Sequence, residues 1–384
     1  MFAERMSRLG TETAFEVLAR AKAMEAEGRD MVHLEIGEPD FDTPPNIVKA
    51  AVKALKEGFT HYGPSAGMPA AKKVFAEHIS KDRKIEVRPE NVVITPGAKP
   101  ILFFSIMALV DEGDEVIYPN PGFPIYESVI NFVGGKPVPI PLREEKNFSF
   151  DVDELRGLVN EKTKLIIVNS PQNPTGGILT KKDMKTVAEL ADKYDAWILS
   201  DEVYSKIVYE GKHVSIYDFP EVKDRTILLE GHSKTYAMTG WRLGYGIMPP
   251  KLADAVARLQ TNSNSCTASF TQMAGIEALT GSQSRSRKMV KEFKVRRDLI
   301  VDGLNAIPGF TCLKPKGAFY VFPNITGTGM KSKELETFLL EKAGVAALSG
   351  TSFGAYGEGY VRFSYANSQE NIKKALEKIR SALK

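Results

Sequence analysis

The chain has 384 residues, 43% apolar and 26% charged, and its 51 Lys and Arg against 48 Asp and Glu leave a formal charge of +3. That length allows two or three domains of roughly 150 residues with a cleft between them, while the balanced, scattered charge lacks the basic footprint of a nucleic-acid binder. Two cysteines without a CxxC pair, dispersed histidines and the lack of an HExxH exclude a disulfide framework and structural zinc, so no metal is expected and Cys266 and Cys312 are read as a buried pair of thiols.

In chain order, the first thirty residues alternate charged and apolar positions and lack the uncharged core of a secretory signal. The longest apolar run, Ile101 to Val110, falls short of the roughly 20 residues that a membrane helix needs, and a cytoplasmic protein is expected. Residues 1 to about 45 hold one helix and the Pro-rich turn GEPDFDTPP. From about residue 91, short β-branched runs alternate with segments of helical period, the pattern of a mostly parallel sheet covered by helices. NVVIT (91–95) leads through PGAK to an apolar helix over 98–110, and EVIYPN (115–120) leads through PGFP to YESVINFV. TKLIIVNS (163–170) leads through PQNPTGG to Thr180, whose hydroxyl and Asp183 form a capping pattern for a helix to about Asp195. AWILSDEVY, TILLEGHSK and RLGYGIMP give three more strands, and KLADAVARLQ another helix. After Ser282 a basic helix precedes short strands and a final helix. The expected organisation is α/β: a large domain over 46–283 and a smaller α+β domain built from both ends, 1–45 and 284–384, with the ligand in the cleft.

The pentapeptide GTSFG (350–354) fits the hydrolase pattern GxSxG, but there the base histidine follows the serine and here the last histidine is His232; a glycine-rich turn is expected instead. No GKS/T phosphate loop and no GxGxxG follows a strand. What remains is a set of polar residues at predicted strand ends, where open α/β sheets bind ligands. Gly97, Ala98 and Lys99 begin a helix whose free amides suit a phosphate. Asn173, Asp201 and Tyr204, then Ser233, Lys234 and Arg242, follow three further strands. A lysine amine for an aldehyde, a carboxylate for a pyridinium nitrogen, and Arg, hydroxyl and helix amides for a phosphate are the requirements of pyridoxal phosphate.

SKTYAMTGWRLGY (233–245) resembles the cofactor-lysine segment of the class I/II aminotransferases, pyridoxal-phosphate fold type I. The resemblance extends in the family's order through IGEPDF (36–41), HYGPSAGMP (61–69), PGAK (96–99), NPGFPIY (120–126), NPTGG (173–177), SDEVY (200–204) and YVRFSYA (360–366). It implies that Lys234 carries the cofactor as a Schiff base and shuttles the substrate proton. It implies further that Phe123 stacks on the ring, Asp201 pairs with its nitrogen, and Asn173 and Tyr204 bond its phenolate oxygen. Ser233, Arg242 and the amides of Ala98 and Lys99 would hold the phosphate, with Gly97 beside them in the cofactor-binding set. Tyr62 would reach it from a neighbouring subunit, which implies a homodimer with composite sites. Arg362 would clamp the substrate α-carboxylate beside Gly37, with Asn173 also at the substrate. The chain departs from the family's frequent Leu-Arg at Ala71 and Lys72, and 262–270 lacks the arginine that one branch uses for a side-chain carboxylate. Lys99 is the remaining partner for such a carboxylate. The implied activity is a ping-pong amino transfer from an aspartate-like or aromatic L-amino acid to a 2-oxo acid such as 2-oxoglutarate. A lyase or decarboxylase on the same fold is the alternative; a cofactor-binding regulator is disfavoured, because the 36 residues before GEPDF leave no room for a winged helix.

Overall fold

The computed structural model describes residues 2–384. Its strands are β1 (Val32–His33), β2 (Val92–Thr95), β3 (Glu115–Asn120), β4 (Lys136–Arg143), β5 (Ser149–Phe150), β6 (Thr163–Asn169), β7 (Trp197–Asp201), β8 (Thr226–Gly231), β9 (Gly244–Ile247), β10 (Tyr320–Val321), β11 (Val345–Ala346), β12 (Leu348–Ser349) and β13 (Val361–Ser364). Eight of them form one sheet in the order β2-β9-β8-β7-β6-β3-β4-β5. The β3, β4, β6, β7 and β8 neighbours run parallel, and β9 inserts antiparallel between β2 and β8. β6 and β7 are buried over nearly their whole length, as expected of strands covered on both faces. Helices lie on either side, including α2 (Pro45–Lys56), α3 (Pro69–Arg83), α4 (Lys99–Leu109) and α5 (Ile125–Val133), whereas α1 (Ala14–Ala26) packs beside β11 through Val17 and Ala21.

Most expected elements appear within a few residues of their anticipated ends. Thr180 caps the helix Lys181–Lys193: its Oγ1 accepts from the Asp183 amide at 3.2 Å, and Asp183 Oδ2 accepts from the Thr180 amide at 2.7 Å. β4 was not expected, because KPVPIPLR carries prolines at 137, 139 and 141. Alternate spacing puts all three missing donors on one edge of the strand. β5 pairs only with Leu142 and Arg143, so the outer edge of the proline stretch carries no ladder that the prolines would break.

A second core gathers around the helix Ser284–Asn305 and the last helix, Gln369–Ala382, with Phe293, Phe319, Tyr320, Phe363 and Tyr365 at its centre. β12 and β10 flank β13, while β1 pairs with β11 and so ties the N-terminal segment to the C-terminal one. GTSFG forms a short 3-10 turn, as expected. The cysteine expectation is corrected: Cys312 is buried, but Cys266 is only half-buried in the loop before the helix Ser269–Thr280, and the two belong to different parts of the fold. No helix among the described residues is long and apolar enough to cross a membrane.

Candidate active site

The parallel strands β3, β6, β7 and β8 end on one edge of the sheet. Register aligns their last residues: Asn169 lies opposite Asp201, and Gly231 opposite Gly244, which in turn faces Thr95. Each strand then turns into a polar segment, and these segments converge on a cavity of about 540 Å³. Its walls include Ala98, Lys99, Phe123, Asn173, Asp201, Tyr204, Ser233, Lys234 and Arg242 from the large sheet, with Gly37 and Arg362 from the second core. Of the residues anticipated from the sequence, only Gly97 and Tyr62 lie outside this lining. Gly97 sits directly behind it, at φ +92°, where a Cβ would come within 2.2 Å of Arg242 Nη2. Tyr62 is 90% exposed on the same subunit's surface.

Lys234 follows β8 on a single turn, His232–Thr235, and donates from Nζ to the Gly37 carbonyl at 2.6 Å. A Cβ at Gly37 would fall 1.9 Å from the Tyr320 hydroxyl, so glycine is what allows this loop to approach. Desolvation, reinforced by the nearby Arg362 and Arg242 charges and opposed by Glu38 and Glu12, lowers the Lys234 ammonium to about 8. Competitive acetylation of the cofactor-free enzyme should therefore show Lys234 gaining reactivity up to about pH 8 and levelling there. An inflection in the ordinary lysine range would contradict this.

Asp201 ends β7 and is 7% exposed. Burial raises its carboxyl to about 6, while the Tyr126 hydroxyl, donating to Oδ2 at 2.7 Å, and the Val203 amide, at 3.3 Å from Oδ1, hold the charged form. Arg362 is deeply buried: Nη1 donates to Asn173 Oδ1 at 3.0 Å, Nη2 to the Glu35 carbonyl, and Nε has no partner among the described residues. The guanidinium packs 4.5 Å from the Tyr320 ring centroid and 4.8 Å from that of Phe353. The hydroxyls of Tyr204 and Tyr320 share a hydrogen bond of 2.7 Å. Lys99 Nζ pairs with Glu12 and lies 5.5 Å from the Phe123 ring centroid.

Glu12, Tyr126 and Tyr320 were not singled out in the sequence. Tyr126 lies within NPGFPIY, where it passes for an ordinary helical core residue. Glu12 and Tyr320 stand in segments without a motif and reach the cavity only through the long-range fold.

This donor set fits pyridoxal phosphate. Arg242 and the amides of Ala98 and Lys99 at the start of α4 suit a phosphate, a buried carboxylate suits a ring nitrogen, and a desolvated lysine suits an aldehyde. The packing of Gly97 against Arg242 leaves room for a cradle that a side chain there would fill.

The model of the family "Aminotransferase class I and II" matches residues 29–379. An aspartate aminotransferase of Pyrococcus horikoshii is 44% identical over 384 residues, covering 99% of this chain and 97% of that protein. Aromatic-amino-acid aminotransferase 2 of Thermococcus litoralis is 40% identical, covering 92% of each. Among solved structures, the aspartate aminotransferase of Thermus thermophilus with maleate superposes with a TM-score of 0.95 at 36% identity, covering 100% of this chain and 99% of that one. A motif order spanning the chain, a sheet edge carrying the cofactor's donor set and full-length matches of this kind agree, and the chain belongs to the class I and II aminotransferases, enzymes that move amino groups with pyridoxal phosphate.

Proposed function

We propose that the enzyme takes an aspartate-like dicarboxylic amino acid as donor, also accepts aromatic ones, and passes the amino group to a 2-oxo acid such as 2-oxoglutarate. The observation that carries this reading is one cavity holding a buried arginine with a free Nε and, on the wall beside Phe123, a lysine. Two cations suit two carboxylates, and the aromatic face suits an apolar side chain.

In this reading Arg362 binds the α-carboxylate as a planar fork, oriented by Asn173, the Glu35 carbonyl and the flanking rings. Gly37 closes over the same carboxylate. Lys234 takes the proton from the substrate Cα and returns it later; its lowered basicity keeps a fraction of the amine neutral near pH 7. The bound cofactor supplies the sink for the electron pair left at that carbon. Asp201 would hold the ring nitrogen protonated, with Tyr126 fixing the carboxylate. Phe123 would cover the ring face, Tyr204 and Asn173 would donate to the phenolate oxygen, and Ser233, Arg242 and the Ala98 and Lys99 amides would carry the phosphate, while the Gly97 amide instead donates to the Thr95 carbonyl at 2.8 Å.

Assayed against a donor panel, Lys99→Ala should raise KM for aspartate and glutamate selectively, by about tenfold or less, since a half-exposed cation contributes on the order of 1 kcal/mol. Equal losses for aspartate, phenylalanine and alanine would assign Lys99 to the phosphate instead.

We also infer a homodimer. On α2, Val48, Val52 and Leu55 recur on one face and are 40%, 44% and 43% exposed, and Tyr62 is 90% exposed, an apolar surface that a second copy would cover. Sedimentation at micromolar protein should give the mass of two chains; a monomer with full activity would refute this.

A further inference from the structure

Glu12 lies in the segment just before α1, lines the cavity and accepts from Lys99 Nζ. Its side chain is 19% exposed against 45% for Lys99, so the carboxylate is the more enclosed partner. Lys99 thus already has a carboxylate, supplied by the chain itself. We propose that Glu12 is a specificity-determining residue, a built-in competitor that holds Lys99 and narrows the enzyme's preference for dicarboxylic over monocarboxylic substrates. This rests on the reading of Lys99 as the side-chain carboxylate partner.

The argument is one of exchange. A dicarboxylate seated on Arg362 must take Lys99 from Glu12, which leaves Glu12 beside a second anion in a partly enclosed wall. A phenylalanine or alanine side chain leaves the ion pair intact and packs against Phe123, which adjoins Lys99. Selectivity is the difference between these two cases, and Glu12 reduces it. Its charge also reaches the rest of the site, opposing the loss of the proton from Lys234 and Arg362.

Glu12→Gln keeps the shape and removes the charge. In the holoenzyme it should raise the ratio of kcat/KM for aspartate to that for phenylalanine by about three- to fivefold, the factor that a part-exposed ion pair is worth. Calorimetric titration with succinate, a non-reacting dicarboxylate, should show tighter binding by a similar factor. In the Lys99→Ala background both effects should vanish, because the competitor has nothing left to hold. An unchanged or lower ratio in Glu12→Gln, with Lys99→Ala still selective against dicarboxylates, would overturn the role of Glu12 alone. Equal losses for every donor in Lys99→Ala would overturn the Lys99 reading and this proposal with it.

Discussion

Lys234→Ala is expected to fold normally and to lose turnover by on the order of ten-thousandfold or more, since one amine both anchors the cofactor and moves the Cα proton. The structure explains why folding should survive. The side chain projects into the cavity, and its one hydrogen bond reaches the Gly37 carbonyl, which faces the same space. Burial penalises the ammonium, whose folded pKa of about 8 lies below the ordinary lysine value of 10.5. That penalty is fully present below about pH 8 and is relieved as pH rises toward the unfolded value. Removing the amine near neutral pH should therefore leave the thermal midpoint of the cofactor-free protein undiminished. In wild type, borohydride reduction followed by peptide mapping should place the fixed cofactor on the peptide holding residue 234. A label on any other lysine would sink the assignment.

Asp201→Asn should cut kcat by about a thousandfold while costing far less in cofactor occupancy. Asparagine can still meet a ring nitrogen with a hydrogen bond, but it cannot hold a proton there by charge, and electrostatic stabilisation of developing charge is commonly worth several kcal/mol. Tyr126 and Val203 already orient the side chain, so the amide would occupy nearly the place of the carboxylate. The loss is therefore expected in rate rather than in geometry. Equilibrium titration with the cofactor, beside single-turnover kinetics with one donor, separates the two quantities. Near wild-type turnover would leave Asp201 as a helix-cap or loop carboxylate and would redraw the cofactor map.

The strand ends were readable because each is a local event. A β-branched run that stops at Asn169, Asp201 or Gly231 and is followed by polar turn residues declares both its limit and its chemistry within a dozen positions. The capping pair Thr180 and Asp183 was legible for the same reason. β4 was not, because three prolines in eight residues oppose strand pairing unless their donors face an open edge, and which edge is open depends on neighbours elsewhere in the chain. The insertion of β9 between β2 and β8 is likewise invisible in RLGYGIMP itself: the run reads as a strand of either direction.

Residue types, their order along the chain and the family were thus decided within the sequence, since motif spacing and hydrophobic period are local properties that survive without coordinates. Only the tertiary structure decided which distant side chains meet. Arg362 reaches Asn173 and the Glu35 carbonyl across 189 and 327 positions, Lys234 reaches Gly37 across 197, and Lys99 reaches Glu12 across 87. No pattern in a linear chain encodes such pairings. They follow from the packing of two cores that brings a sheet edge, an N-terminal segment and a C-terminal strand around one space, where desolvation then sets the charge of Lys234 and Asp201.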